Sequence, residues 1–309
     1  MFRQPVSFSI GVNQSLKSAP VIIAEDQGYF KDEHLDVNIT VESSAVSLMQ
    51  GLFDNRYDLV CIPEYQAVAH GFARSDFRII AVINRNQSRS LVMDGRTITG
   101  SAKLSGKRIG LAKNSAAEYT LYRILLFNRI KEEEVLIEYF SPDDLPQALA
   151  SGKVDAVISW EPFTGQIEQL LKGFTIVENA HYGRDMYWLL VTRLTTSIER
   201  EDDLVRIIES LERATSFLNT RSDVALDIVS ESLSLSRESL AKEWIEYSFF
   251  IELPQSLLLA MEQESSWYRS RRSVDFESPQ YLEMIDDKPL ARRYPRRVSI
   301  AGSGGVHAP

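Results

Sequence analysis

Among the 309 residues there is a single cysteine, Cys61. That count removes intramolecular disulfides and any multi-cysteine zinc site. Histidine is scarce too: His34, His70, His181 and His307 are scattered without the short spacing of metal ligands, so no metal and no other cofactor is expected. No segment approaches the roughly 18 to 20 consecutive apolar residues that a bilayer-crossing helix requires, which excludes a helical span within this sequence. A secretory signal is missing as well. Met1-Phe2-Arg3-Gln4-Pro5 passes straight into alternating strand-like residues, with no basic n-region, apolar h-region or small-residue cleavage site. The expectation is therefore a cytoplasmic chain if Met1 is native, or an exported one whose leader has been replaced by Met. A basic excess is absent: 34 Lys and Arg stand against 43 Asp and Glu, for a net charge of −9. Nucleic acid is thereby disfavoured as a partner, because neutralising phosphates needs a concentrated basic surface. Clusters at Arg269, Arg271, Arg272 and at Arg292, Arg293, Arg296, Arg297 are interleaved with acids and read as solvated.

The length exceeds what one hydrophobic core usually serves, so two domains are expected. From the N-terminus the pattern is strand, helix, strand, helix, strand. Val6, Phe8 and Ile10 alternate with polar residues before Gly11 to Ser15 break the run. Ser18 and Pro20 open a helix that Gly28 stops. Leu35, Val37, Ile39 and Val41 form the cleanest period-two run, a strand with one buried face. Val46, Leu48, Met49, Leu52 and Phe53 follow at helical spacing, then the apolar strand Leu59-Val60-Cys61-Ile62, ended by Pro63. Such units point to parallel βαβ connections and an open sheet covered on both faces.

After a polar stretch around Asn84 to Ser90 the grammar restarts. Strands are expected at Arg108 to Leu111, Val135 to Phe140, Ala156 to Ser159, Thr175 to Val177 and Met186 to Thr192, with helices around Leu121 to Phe127, Leu145 to Ala150 and Phe163 to Leu171. From Ile198 onward the pattern reads as helices alone, around Leu204 to Ala214, Val224 to Leu233, Leu240 to Ile245 and Leu257 to Tyr268. Gly302 to Pro309 reads as a loose tail.

In open α/β sheets, ligands bind outside the carboxyl ends of the strands. That rule selects Asn13, Gln14, Ser15 and Lys17 after the first strand, and Glu64 and Tyr65 after the third. From the second half it selects Asn114, Ser115, Ala116 and Tyr119, then Trp160 and Glu161, with Tyr187 on the returning strand. Lys113 to Ala117 opens a helix whose free N–H groups suit an anion or a carbonyl oxygen; the plainer role for Asn114 or Ser115 is a helix cap. Trp160 suits stacking on a planar ligand, against the plainer reading of a core tryptophan. Glu64, Glu118 and Glu161, set against Lys17 and Lys113, tilt the ligand toward a heteroaromatic or amine-bearing solute such as a pyrimidine, with Glu118 expected to face outward. No catalytic residue is assigned: Cys61 sits in an apolar strand, where an inert thiol is the default, and no Ser-His-Asp order is present.

Several segments, in order, resemble one family. They are Ala24-Glu25-Asp26-Gln27-Gly28-Tyr29-Phe30 with Leu35-Asp36-Val37, then Tyr57-Asp58-Leu59-Val60, then Leu104-Ser105-Gly106-Lys107-Arg108-Ile109-Gly110. Gly152-Lys153-Val154-Asp155-Ala156 with Trp160-Glu161-Pro162 follows, and Leu290, Pro295 and Val298 are similar to a C-terminal strand. Together they resemble the type-2 solute-binding proteins of the nitrate, taurine, aliphatic-sulfonate and thiamine-pyrimidine group that serve ABC importers; His34 departs from the family's usual Gly. The resemblance implies an α/β, bilobal, type-2 periplasmic-binding-protein fold with two hinge crossings, near Arg85 to Val92 and Leu190 to Leu194. Lobe one would comprise 1–88 and 193–309 with the helical tail packed on it, and lobe two, 89–192, would be inserted. It further implies a small organic solute (a sulfonate, a nitrate-type anion or a pyrimidine) held in the cleft between the lobes, a membrane ABC permease as partner, a monomer, and a periplasmic or extracellular membrane-associated location if a leader was removed. Two alternatives share the fold. One is a ligand-sensing domain of a signalling protein. The other is an enzyme resembling the aryl-sulfinate desulfinase or the pyrimidine synthase; those relatives carry cysteine in the first loop or in a cysteine-rich motif, and this sequence has neither.

Overall fold

A computed structural model describes residues 5–87, 89–272 and 278–300. The opening Met1 to Gln4, His307 and the expected tail from Gly302 lie outside the described residues. The strands are β1 (Val6–Asn13), β2 (Leu35–Glu42), β3 (Leu59–Pro63), β4 (Phe77–Asn86), β5 (Ser90–Asp94), β6 (Arg108–Ala112), β7 (Leu136–Phe140), β8 (Ala156–Ser159), β9 (Thr175–Asn179), β10 (Met186–Arg193) and β11 (Tyr247–Glu252). They build two sheets, ordered β11-β4-β10-β3-β1-β2 and β7-β6-β8-β5-β9. The protein is α/β, with helices between most successive strands.

Both sheets are mixed, where parallel sheets were expected. β1 runs parallel to β2 and β3, but β10 pairs antiparallel with β3. In the second sheet β6 is parallel to β7 and β8, whereas β5 runs antiparallel to β8 and β9. Side-chain alternation does not encode strand direction, which is why pattern alone missed it. The period-two run of β2 forms an edge strand, so Leu35 is buried while Val41 stays 45% exposed. The polar stretch at Asn84 and Asn86 ends β4, and both residues are buried. The reading of helices alone after Ile198 is corrected by β11, whose Tyr247, Phe249 and Ile251 alternate inward. The expected C-terminal strand is replaced by 3-10 turns at Tyr281–Met284 and Pro295–Arg297 around a short helix, Lys288–Ala291, with isolated bridges Ile79 to Ile285 and Leu253 to Val298.

The chain divides into two compact units: residues 1–85, 187–234 and 248–309, and residues 86–186 with 235–247. The chain thus passes between units after residues 85, 186, 234 and 247. The resemblance suggested passages at 88/89 and 192/193 and kept 235–247, which holds the helix Arg237–Trp244, in lobe one.

Within the first unit, Gly11 of β1 permits a close approach: a Cβ there would lie 2.7 Å from Leu48 Cδ2 and 2.9 Å from Tyr57 Cδ2. Gly28, at φ 71°, ends the helix Ala19–Asp26 in a conformation that side chains resist. The Tyr57-Asp58 motif is structural. Asp58 Oδ2 accepts from the backbone N and the hydroxyl of Ser9, both at 2.9 Å, and Arg193 Nη2 donates to Asp58 Oδ1 at 3.1 Å.

The second unit explains its two motifs together. Asp155, from the Gly152 motif, accepts from the backbone N of Arg108 at 2.9 Å and from its Nη2 at 2.9 Å, clamping the loop before β8 to the start of β6. The Arg108 guanidinium holds the Asp155 carboxyl below the usual carboxylate range. A core of Leu91, Met93, Ile109, Leu111, Leu121, Ile124 and Ile158 packs one sheet face, and Val92, Leu145, Leu149, Val157 and Ile167 pack the other.

Candidate functional site

In the first unit the strand-end rule leads to the loop after β1. Asn13 is buried, and its Nδ2 donates to Glu42 O at the end of β2. Its carbonyl accepts from the Ser18 hydroxyl at 2.7 Å, so the turn is tied before the helix begins. Ser15 is buried and caps the 3-10 turn Leu16–Ser18 by backbone geometry, with no side-chain capping bond. Gln14 points elsewhere. It is exposed, and its Nε2 donates to Leu233 O, closing the carboxyl end of the helix Ser222–Leu233. Lys17 is 3% exposed, with its ammonium 5.6 Å from the centre of the Trp188 ring.

After β3, Glu64 opens the helix Glu64–Gly71 and is completely buried. Its Oε2 accepts from the Tyr187 backbone N at 3.1 Å, so the carboxylate and Tyr187 are joined through main chain. Tyr187 itself is 5% exposed. Tyr65 is fully buried, with its ring 6.2 Å from Trp267 and 6.3 Å from Tyr268. It is a core residue of this unit. Asn13, Ser15 and Lys17 are thus buried in this loop, Gln14 bonds to the end of another helix, and Tyr65 packs among aromatic rings.

In the second unit the loop after β6 opens the helix Ala116–Phe127. Asn114 adopts φ 55°, a left-handed turn that Asn tolerates. The Ser115 hydroxyl accepts from Ala117 N at 3.2 Å and donates to Ala112 O at 2.8 Å, which makes it a true N-cap. Ala116 and Ala117 follow with small side chains at the positive end of the helix. Glu118, expected to face outward, is 6% exposed. Its position in the first turn of the helix puts it on the face that packs inward. Tyr119 is buried, stacked on Tyr122 at 6.0 Å, with the Arg184 guanidinium 5.0 Å from its ring centre.

After β8, Trp160 is half-buried, meets Phe163 edge-on at 5.7 Å and lies 5.1 Å from the Arg89 guanidinium. It packs in part against the core of its unit, so the core role is present. Glu161 Oε2 accepts from Gly165 N at 3.1 Å and so caps the first turn of the helix Phe163–Leu171. The residues that sequence reasoning missed are Arg89, Arg123 and Arg184. They converge with Tyr119, Thr120 and His181 around one pocket. The signal available was weak: three arginines separated by tens of residues, in the loops after β4 and β9 and on the helix Ala116–Phe127.

Cys61 is fully buried in β3, and burial pushes its thiol far above the ordinary range. Among the described residues, no group of His, Cys, Asp and Glu is placed to hold a metal ion, and no helix is long and apolar enough to cross a membrane.

Residues 15–223 match the family described as NMT1/THI5-like. In Bacillus subtilis (strain 168), the protein named "Putative aliphatic sulfonates-binding protein" is 24% identical over 293 residues, covering 92% of this chain and 87% of that protein. The alkanesulfonate-binding protein SsuA from Xanthomonas axonopodis pv. citri, solved bound to MOPS, superposes with a TM-score of 0.79 at 15% identity, covering 93% of this chain and 100% of that one. The periplasmic aliphatic sulphonate binding protein SsuA from Escherichia coli gives 0.78 at 14% identity over 92% and 93%. The desulfurization enzyme DSZB has the same fold, with a TM-score of 0.71 at 13% identity over 94% and 99%. Binding proteins and an enzyme thus share this architecture.

Proposed function

Because the chain belongs to the NMT1/THI5-like family, we propose that it is the solute-binding component of an ABC importer and that its solute is a small organic sulfonate. The observation that carries the choice of solute is the fate of the acids. Glu64 Oε2 accepts from the Tyr187 amide and Glu161 Oε2 from the Gly165 amide. Two of the carboxylates that tilted the sequence toward an amine-bearing pyrimidine therefore have structural work, and the capped helix start at Ser115 to Ala117 offers its N–H groups to an anion. The sulfonate-binding names of the relatives support the same class.

In this reading the protein is a carrier. The residues proposed for solute contact are Asn13, Ser15 and Lys17 within the first unit, and Asn114, Ser115, Ala116 and Trp160 within the second. The protein works outside the cytoplasm as a monomer and delivers to a membrane permease. A carrier is favoured over a desulfinase-like enzyme by the thiol: Cys61 is buried within a strand, and a buried, protonated thiol is a poor nucleophile. Calorimetric titration with ethanesulfonate, nitrate and an aminopyrimidine tests the reading. Sulfonate binding at micromolar or lower concentration is expected; tight pyrimidine binding without sulfonate binding would refute it. Native mass spectrometry of the protein purified from its own cell would identify the retained solute.

A further inference from the structure

We propose that Trp188, which the strand-end rule does not select, is a solute-contacting residue of the first unit: its indole N–H and the Ser15 hydroxyl donate to oxygens of one sulfonate head group. The inference rests on the sulfonate-carrier reading and deepens it, because it names the neutral donors that recognise the head group.

Trp188 is 4% exposed and Ser15 5%. Trp188 Nε1 and Ser15 Oγ are shut away from solvent and, among the described residues, neither makes a hydrogen bond. A donor buried without an acceptor forfeits the hydrogen bonds it makes in the unfolded chain, which is why nearly all buried polar groups are paired. Two such donors at one place in a fold point to an acceptor that arrives with a ligand. The sheet order β10-β3-β1 brings them to one place. Trp188 stands opposite Pro63, the last residue of β3, and Ser15 lies just past the end of β1, which runs parallel to β3. Both are therefore at the carboxyl end of the parallel strands, where open α/β sheets bind ligands. Lys17 links them. Its carbonyl accepts at 2.8 Å from Nδ2 of Asn84, on the strand beyond β10, which draws the turn after β1 across β3 toward β10. Its ammonium lies over the Trp188 ring, 5.6 Å from the centre. The indole face is thus given to a cation, and its N–H edge is left for an acceptor. That N–H donates and never accepts, so the partner it takes is a lone-pair atom; every sulfonate oxygen supplies one, whereas a protonated amine supplies none.

The test is a titration of ¹⁵N-labelled protein with ethanesulfonate that follows the indole N–H resonances, with Trp188 assigned in the parent by side-chain correlation. The Trp188 N–H should shift saturably over the concentrations at which calorimetry shows binding. Trp188→Phe keeps an aromatic face toward Lys17 and removes the donor, and affinity should fall about 10- to 100-fold, the range of a hydrogen bond to a charged acceptor. Ser15→Ala should weaken binding at least about fivefold. Its urea midpoint should equal or exceed that of the parent, because the lost hydroxyl has no partner within the protein; a purely structural serine would show the reverse, lost stability with affinity kept. The indole resonance is read in the unsubstituted protein, so a poorly folding variant does not remove the test. Sulfonate binding by the parent with the Trp188 N–H unmoved, or parent-like affinity in either variant, would overturn the inference and leave the carrier reading intact. Absence of sulfonate binding by the parent would overturn both.

Discussion

Substitution of Ser115 separates a helix cap from a ligand contact. Ser115→Ala removes the acceptor for Ala117 N and the donor to Ala112 O, and loss of such a cap costs about 1 kcal/mol of stability. Ser115→Asp keeps an acceptor in the cap position and adds a favourable charge at the positive end of the helix, about 0.3 to 1 kcal/mol. Its stability should therefore equal or exceed that of the parent. Sulfonate binding should respond in the opposite sense. Two like charges about 5 Å apart repel by roughly 3 kcal/mol at an effective dielectric of 20, and screening at this half-exposed position reduces that to about 1 to 2 kcal/mol. The expected loss is thus about 5- to 30-fold in affinity for Ser115→Asp. Urea unfolding reads the first quantity and calorimetry with ethanesulfonate the second. A Ser115→Asp protein that binds the sulfonate as tightly as the parent would refute placement of the anion at this helix start.

Other consequences concern stability and reactivity. Gly11→Ala should destabilise the first unit by about 1 to 3 kcal/mol, since its Cβ would meet Leu48 and the buried Tyr57 ring; an unchanged urea midpoint would contradict the close approach. Asp155 and Asp94 are held below the ordinary carboxylate range, by hydrogen bonds from Arg108 and Arg96 respectively. A depressed folded-state pKa gives stability that is present above the unfolded value, about 3.9, and is lost as pH falls through the folded value. Asp155→Asn should therefore be less stable than the parent at pH 7, with the gap closing below about pH 4; an equal gap at pH 7 and pH 3 would speak against the ion pair. Cys61 should resist a thiol reagent in the native protein and react once it is unfolded in urea, because burial keeps it protonated. Fast stoichiometric labelling of the native protein would show that β3 opens.

Local pattern carried far where the signal was local. The apolar run Leu59 to Ile62, the helical spacing from Val46 to Phe53 and the Gly28 stop all appear as elements. The α/β class and the family were legible from the order of short motifs, and the structure shows why those motifs exist: Asp155 clamps Arg108, and Asp58 ties Ser9 to Arg193. What failed was non-local. Asn84 and Asn86 look like loop residues because their burial comes from distant neighbours; Asn84 Nδ2, for example, donates to Lys17 O across 67 positions. β11 was hidden among helices because a six-residue strand that completes a distant sheet edge carries no helical or capping signal of its own.

The candidate loops after β1, β3, β6 and β8 followed from the sequence, since strand ends and helix starts are written in local residue order. The role of each side chain within them did not. Tyr65 packs among aromatic rings, Gln14 bonds to the end of another helix, Glu64 Oε2 and Glu161 Oε2 accept from backbone amides, and Ser115 caps its helix. The arginine pocket was invisible for the same reason. Its members come from positions 89, 123 and 184, and charge in a sequence is a sum over the chain, whereas charge in a site depends on which residues folding brings together. A net charge of −9 disfavours nucleic acid as a partner, and a single cysteine removes intramolecular disulfides and a multi-cysteine zinc site. The tertiary structure alone decided that three of 34 basic residues gather around one pocket, because proximity across 95 positions is set by packing and not by order along the chain.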